Sequence, residues 1–315
     1  MSKLVNRSWS LFGIITLLIA GSAMTASAQR GDAVLWEPVK ISSRNLTLGR
    51  GGSSMRPNTR RMTFIEQEKG GNNLKYRIKD SSGRVWVAKI ADESQAEVAA
   101  NRLLWAIGYQ TEIDYLVPRL TIPTKKTYTN VRLEARPANV ERDGRWAWKE
   151  NPFVGTREFN GLKLMMALIN NWDLKDDNTG ILKRDGRIEY VVSDLGSSFG
   201  RTAATSLPIF TKFGRSVNNP HHYAGASFIV GMSDKGYLDL AYDGKQDHLM
   251  KEFTVEDARW LGSLLRQLSA KQISDAFRAA NYDRSEIKLL TDGFRRRIAE
   301  LNSPSRAIAE RRIRG

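Results

Sequence analysis

Residues 171–178 read Asn-Trp-Asp-Leu-Lys-Asp-Asp-Asn, and sixteen residues beyond Asn178 the chain reads Asp194-Leu195-Gly196. These two short pieces decide the fold. The octapeptide holds an Asp, a Lys two residues on, and an Asn three beyond that: Asp173, Lys175 and Asn178. On its own it reads as an Asx-rich loop after a helix, because Asp and Asn side chains bond their own backbone in turns. Asp-x-Gly is also common in turns. Together, at this offset and around a predicted strand pair, they are more than polar residues in one region.

The flanks fit that reading. Thr156 or Arg157 begins a predicted helix with Phe159, Leu162, Met165, Met166 and Ile169 on one face, ending at Asn170-Asn171. Ile181-Leu182 and Glu189–Ser193 read as short strands around the turn Arg184-Asp185-Gly186. From Phe253 onward the pattern is helical: Val255–Leu268, Ala270–Ala280 and Arg284–Leu301. Upstream, Thr63–Gln67, Leu74–Lys79 and Val85–Ile90 are three strands of an antiparallel meander, with turns at Gly70-Gly71-Asn72-Asn73 and Asp80-Ser81-Ser82-Gly83. Ser94 reads as an N-cap with Glu97 three residues later, a capping-box pattern that opens a helix closed by Gly108. Tyr115–Ile122 and Asn130–Arg136 are two further strands, the second closed by Pro137.

In these motifs and their order, the chain resembles the protein-kinase-like superfamily over about residues 61–300. It is similar to compact, atypical members, the HipA-type and phosphatidylinositol-kinase-like bacterial proteins. The resemblance implies an α+β, bilobal kinase-like fold. Residues 61–136 would be a small antiparallel-sheet N-lobe with one helix, and residues 137–300 a mostly helical C-lobe. It implies ATP and Mg²⁺ (or Mn²⁺) as cofactors. Asp173 would orient the acceptor hydroxyl, Lys175 would neutralise charge on the transferred group, and Asn178 and Asp194 would hold the metal. Lys89, in Val85-Trp86-Val87-Ala88-Lys89-Ile90, would bind the nucleotide phosphates, and Glu97 would pair with it. Taken alone, Lys89 reads as a surface lysine on an alternating strand, and Glu97 reads equally as the capping-box residue of Ser94. The family's Gly-x-Gly-x-x-Gly is absent. Gly70 and Gly71 lie in the corresponding hairpin, either as phosphate-reaching backbone or as a tight turn. The family's His and Arg are replaced by Asn171 and Trp172, which argues against a switch worked by a phosphorylated loop.

Outside this region, Lys3 and Arg7, the apolar run Leu11–Ala20 and Ala26-Ser27-Ala28 predict a signal peptide over residues 1–28, cleaved after Ala28. That implies a periplasmic or secreted protein. Residues 29–60, rich in Gly, Ser and Arg, are expected to form an N-terminal arm with little fixed structure beyond a short strand at Ala33–Trp36. There are no cysteines, so neither disulfides nor thiolate metal sites arise. Net charge is +15, or +13 once Lys3 and Arg7 leave with the signal peptide. Arg295-Arg296-Arg297 and the tail at residues 301–315 read as solvated basic faces, suited to an anionic envelope surface. His221-His222 and His248 have no metal-ligand spacing, and Gly-x-Ser-x-Gly and His-Glu-x-x-His are both absent. The scattered aromatics give no nucleic-acid signature.

The expected function is therefore an exported ATP/Mg-dependent phosphotransferase acting on a protein, lipid or small-molecule acceptor. ATP is scarce outside the cytoplasm. A non-catalytic envelope-binding or scaffold protein and a nucleotidyl transferase on the same fold stay open at this stage.

Overall fold

The computed structural model describes residues 28–30, 33–71, 73–202 and 214–314. Residues 1–27, and with them all of the predicted signal peptide except Ala28, lie outside the described residues. Strands β1 (Ala28–Arg30) and β2 (Ala33–Trp36) open the described chain. Next come β3 (Thr63–Glu68), β4 (Leu74–Lys79), β5 (Val85–Ile90), helix α1 (Ser94–Ala106), β6 (Asp114–Thr121) and β7 (Thr127–Ala135). These five strands form one sheet in the order β3-β4-β5-β7-β6, antiparallel throughout. The remaining elements are β8 (Val140–Arg142), α2 (Arg157–Leu168), β9 (Thr179–Arg184), β10 (Arg187–Val192), α3 (Pro220–Gly225), β11 (Ile229–Met232), β12 (Leu238–Leu240), α4 (Val255–Leu265), α5 (Ala270–Ala279), α6 (Arg284–Asn302) and α7 (Pro304–Arg314).

Local chemistry explains the joints. Between β4 and β5, the Asp80 carboxylate accepts bonds from the backbone N–H groups of Asn58, Ser82 and Arg84 and from the Trp86 indole. One buried side chain thus sets the turn and ties it to the preceding segment. Between β9 and β10, Asp185 and Gly186 both adopt positive φ (49° and 76°), as a two-residue hairpin turn of right-handed twist requires. Thr254, Ser269 and Asp283 each open a helix of the C-lobe (α4, α5, α6) with a reciprocal capping box.

Apolar side chains gather into two bodies. One fills a face of the five-stranded sheet, with Tyr76, Ile78, Trp86, Tyr115, Leu120, Val131 and Leu133. The larger one joins β2, α2 and the C-lobe helices. Helix α1 contributes Ala96, Val98, Ala99, Ala100, Leu103 and Leu104 to this larger body. The N-lobe helix is therefore seated in the core of the helical lobe.

Two expectations are corrected. Residues 33–60 are built into the fold. Strand β2 lies parallel to β10, all four of its residues are buried, and Ile41 and Leu46 are buried after it. Its Trp36 donates to the Ile107 carbonyl at 2.7 Å and meets Trp260 edge-on at 5.5 Å, so the strand links α1 to α4. Within the Gly-Ser run Gly51 packs closely, where a Cβ would lie 2.4 Å from the Tyr115 hydroxyl, while Ser53 and Ser54 are exposed. Small residues here serve a tight contact, which composition alone reads as looseness. Second, Arg297 is not on a solvated face. It is fully buried, donates to Leu168 O and Asn170 Oδ1, and lies 4.2 Å from the centre of the Tyr223 ring. Arg295 and Arg296 remain exposed. Most of the tail at residues 301–315 forms helix α7, which buries Ile308 and leaves Arg306 exposed.

Candidate active site

The cleft between the lobes is lined by Gly70, Gly71, Lys89, Glu97, Asp173, Lys175, Asn178 and Asp194, and has a volume of about 970 Å³. All eight sequence-predicted site residues thus face one space. Another cavity of about 740 Å³ lies against α6 and α7, and none of these residues lines it.

Lys89 sits on the central strand β5, and its side chain is 2% exposed. Its ammonium meets Glu97 at 3.0 Å and Asp194 at 3.2 Å. A third carboxylate, Glu93, lies closest at 2.5 Å. Burial alone would favour the neutral amine. Glu97, Asp194 and Glu93 outweigh it and hold Lys89 well above the ordinary lysine range. Glu97 is equally sealed, and burial pushes its carboxyl up to about 7 against the pull of Arg132 and Lys89. Arg132 bridges from β7, 3.1 Å from Glu97. Asp194 is more open, with 40% of its side chain exposed, and Lys89 and Arg132 depress its carboxyl below the usual range.

Two roles compete for Glu97, and the structure assigns one. Helix α1 has Glu93 at its N-cap position, without a side-chain cap bond, and Ser94 is its first residue. The Ser94 hydroxyl instead donates to the Lys89 carbonyl. The capping box predicted on Ser94 is absent, because Glu97 turns to the lysine.

The other side of the cleft is built at the end of α2. Asn170 takes a left-handed φ of 56°, a conformation Asn tolerates, and donates to the Gly200 carbonyl at 2.8 Å. Buried Arg297 holds the Asn170 side-chain oxygen. The chain then turns into the octapeptide. Asn171 accepts a bond from the Asp173 N–H at 3.1 Å, so it supports the loop directly. Trp172 donates to Ser216 O and lies 5.4 Å from the Arg215 guanidinium. Asp173 is flanked by two lysines, Lys175 at 3.0 Å and Lys245 at 2.5 Å. Burial would raise its carboxyl, but bonds from Lys245, Lys175 and Asn178 bring it below the ordinary range.

The donor set fits a hard divalent cation. Asn178 spends its amide N–H on Asp173 O (2.8 Å) and Oδ2 (3.1 Å), which leaves the Asn178 carbonyl oxygen for a metal. Asp194 accepts from Lys89 and from the Gly196 N–H through one oxygen, Oδ1, and leaves the other. Asn178 and Asp194 would hold such a cation through these two oxygens, the kind of ligand Mg²⁺ takes.

Two contributors escape sequence reasoning. Glu93 carries a weak signal, an acid four residues after Lys89 at the start of a helix. Lys245 carries none, since it stands in a polar loop 72 residues after Asp173. It arrives because Gly244 lets that loop touch the octapeptide: a Cβ there would lie 2.8 Å from Trp172 O.

No protein-family model matches the sequence. Nor does any curated protein. Among solved structures, the chain is similar to the Helicobacter pylori proinflammatory kinase CtkA, at 12% identity and a TM-score of 0.50, over 80% of this chain and 98% of that one. It also matches the Rio2 kinase of Chaetomium thermophilum in its ADP/Mg²⁺–phosphoaspartate complex, at 10% identity and a TM-score of 0.32, over 76% and 72% of the two chains. At these identities the likeness speaks to the fold. The architecture, an antiparallel-sheet lobe followed by a helical lobe, is kinase-like.

Proposed function

We propose that the protein is an exported, ATP/Mg-dependent phosphotransferase of the kinase-like superfamily. Within it we place the chain with the compact HipA-type and phosphatidylinositol-kinase-like members, since only eight residues separate Lys89 from Glu97. The observation that carries the reading is the meeting of Lys89 with Glu97 at 3.0 Å and Asp194 at 3.2 Å, across two lobes, in the cleft that also holds Asp173 and Asn178. Lys89 binds the phosphates. Asn178 and Asp194 hold Mg²⁺, which supplies charge neutralisation on the phosphoryl oxygens. Asp173, kept ionised by its lysines, accepts a hydrogen bond from the acceptor hydroxyl and takes its proton as the acceptor oxygen bonds the γ-phosphorus and the bond from that phosphorus to the β–γ bridging oxygen breaks, releasing ADP. Lys175 balances charge on the transferred group. Retention of both metal-binding side chains favours a working site over a scaffold. Export rests on residues 1–28, and the basic Arg295, Arg296 and α7 surface suits an anionic envelope.

The test is a thermal-shift titration of the mature chain with ATP and Mg²⁺ or Mn²⁺, beside Asp194→Ala. Metal-dependent stabilisation is expected in the unmutated protein and lost in the variant. At a ligand excess of 100-fold over Kd, the gain is about 2.7 kcal/mol. No stabilisation of the unmutated protein by ATP with either metal would sink the nucleotide site.

A further inference from the structure

We propose that Glu93 decides which form of nucleotide the cleft admits. It fills the phosphate position at Lys89 with an internal carboxylate, so a polyphosphate binds with its divalent cation and is turned away without it. This rests on the phosphotransferase reading above.

Three contacts place Glu93. Its carboxylate lies 2.5 Å from the Lys89 ammonium, nearer than Glu97 or Asp194. Its Oε1 accepts a bond from the Asn73 amide at 2.8 Å, so the β3–β4 hairpin turn is held down on the same group. It also occupies the space beside Gly196, where an added Cβ would lie 2.7 Å from Glu93 Cδ and Cγ. Glu93 therefore touches the phosphate-binding lysine, the roof of the cleft and the metal-binding segment at once.

A phosphate that binds Lys89 must displace one of its three carboxylates. Glu97 is sealed and also tied to Arg132. Asp194 is the residue assigned to the metal. That leaves Glu93, which has 19% of its side chain exposed and whose other bond comes from the Asn73 amide. Once displaced it stays within reach of the phosphates, because its backbone begins α1. At Lys89 itself a metal-free polyphosphate then meets Glu93, Glu97 and Asp194, opposed by Lys89 and Arg132, while the other basic side chains of the cleft, among them Lys75, Lys175 and Lys245, line its wider wall. A bound divalent cation removes two charges from the incoming tail and reverses that balance. Close like charges in a partly buried cleft repel strongly enough to change affinity by tenfold or more.

The experiment compares the mature protein with Glu93→Gln. Gln keeps the length and an acceptor oxygen for Asn73. Glu93 makes no side-chain cap on α1, and Lys89 keeps two carboxylates, so the fold is expected to hold; thermal melting checks this. ATP binding is measured calorimetrically with excess EDTA and with excess Mg²⁺. In Glu93→Gln, affinity for metal-free ATP should rise by at least about tenfold, while affinity for MgATP shifts by less than about threefold. Equal metal-free affinity in the two proteins, with MgATP bound normally, overturns the role of Glu93 and leaves the phosphotransferase reading intact. Failure of both proteins to bind MgATP overturns that reading and this inference with it. As a second variant, Glu93→Asp keeps the charge and should still exclude metal-free ATP; its admission of metal-free ATP would count against the proposal.

Discussion

The two walls of the cleft are built on opposite charge patterns. On one, a single ammonium, Lys89, is surrounded by three carboxylates. On the other, a single carboxylate, Asp173, lies between two ammonium groups. Burial separates them further. Lys89 and Glu97 are both 2% exposed, with only Asp194 open at 40%, whereas Asp173, 14% exposed, is held by lysines that are 41% and 42% exposed. The same ion-pair chemistry therefore does different work. A sealed pair cannot lose one member without leaving an uncompensated charge in the interior. An exposed pair contributes little to stability and exchanges readily with water or ligand. The Lys89 wall is suited to fixing where phosphates bind, and the Asp173 wall to exchanging partners during a reaction.

The comparison breaks most sharply at Asp173. Asp173→Asn removes the carboxylate and leaves Lys175 and Lys245 close together, yet both are well solvated. Turnover of MgATP, to water or to the protein itself, should fall by about 10³-fold, the scale of a general base. The urea midpoint should move little, by no more than about 1 kcal/mol of stability. A variant that unfolds instead would place Asp173 among the structural ions and cancel the distinction between the walls.

The Lys89 wall makes a prediction about pH. In the folded protein burial holds the Glu97 carboxyl near 7, against about 4.5 as its unperturbed value. A raised carboxyl means the folded state binds the proton more tightly. The stability from this group is fully present below about 4.5 and is lost as pH rises through 7. The loss amounts to roughly 3 kcal/mol at most. Asp173 and Asp194 act in the opposite sense, since their carboxyls are depressed. Their contribution is present above the ordinary aspartate range near 3.8 and falls away below it, outside the Glu97 window. Urea denaturation between pH 4.5 and 7 should show a decline in the parent protein that flattens in Glu97→Gln. An identical slope in both would mean that Arg132 and Lys89 fully offset burial.

How much of this was legible in the sequence follows from how local each signal was. Strands β4 and β5 match their predicted bounds, because alternation and turn residues are read within a few positions. The motif residues were legible because their offsets are fixed by one loop and one hairpin. Glu97 stayed ambiguous. A helix-start acid three residues after a Ser is the signature of a capping box, and only packing decides that it faces Lys89 instead. The segment at 33–60 was misread for a related reason. Gly51 permits a contact with Tyr115, and β2 finds its partner β10 some 150 residues away, neither of which is a local property. Arg297 shows the limit of charge runs: three successive arginines on a helix point in different directions, so one of them is buried.

Lys245 offers the finest test of the exposed wall. It reaches Asp173 Oδ1 at 2.5 Å, while Lys175 takes Oδ2 at 3.0 Å, so the pair fixes the carboxylate rotamer from both sides. The two lysines differ in their hold on the proton. Bonding to Lys245 and to Asp173 raises Lys175, whereas burial lowers Lys245 despite the attraction of Asp173. Of the two, Lys245 is the first to become neutral as pH rises. A positioning role then predicts a signature that a merely structural one lacks. Lys245→Met should slow MgATP turnover by about tenfold, roughly 1.4 kcal/mol in the barrier, with a smaller change in KM. It should also remove an alkaline limb from the pH–rate profile. Lys245→Arg, which keeps its charge at any accessible pH, should restore rate and move that limb upward. An unchanged alkaline limb in both variants would leave Asp173 positioned by Lys175 and Asn178 alone.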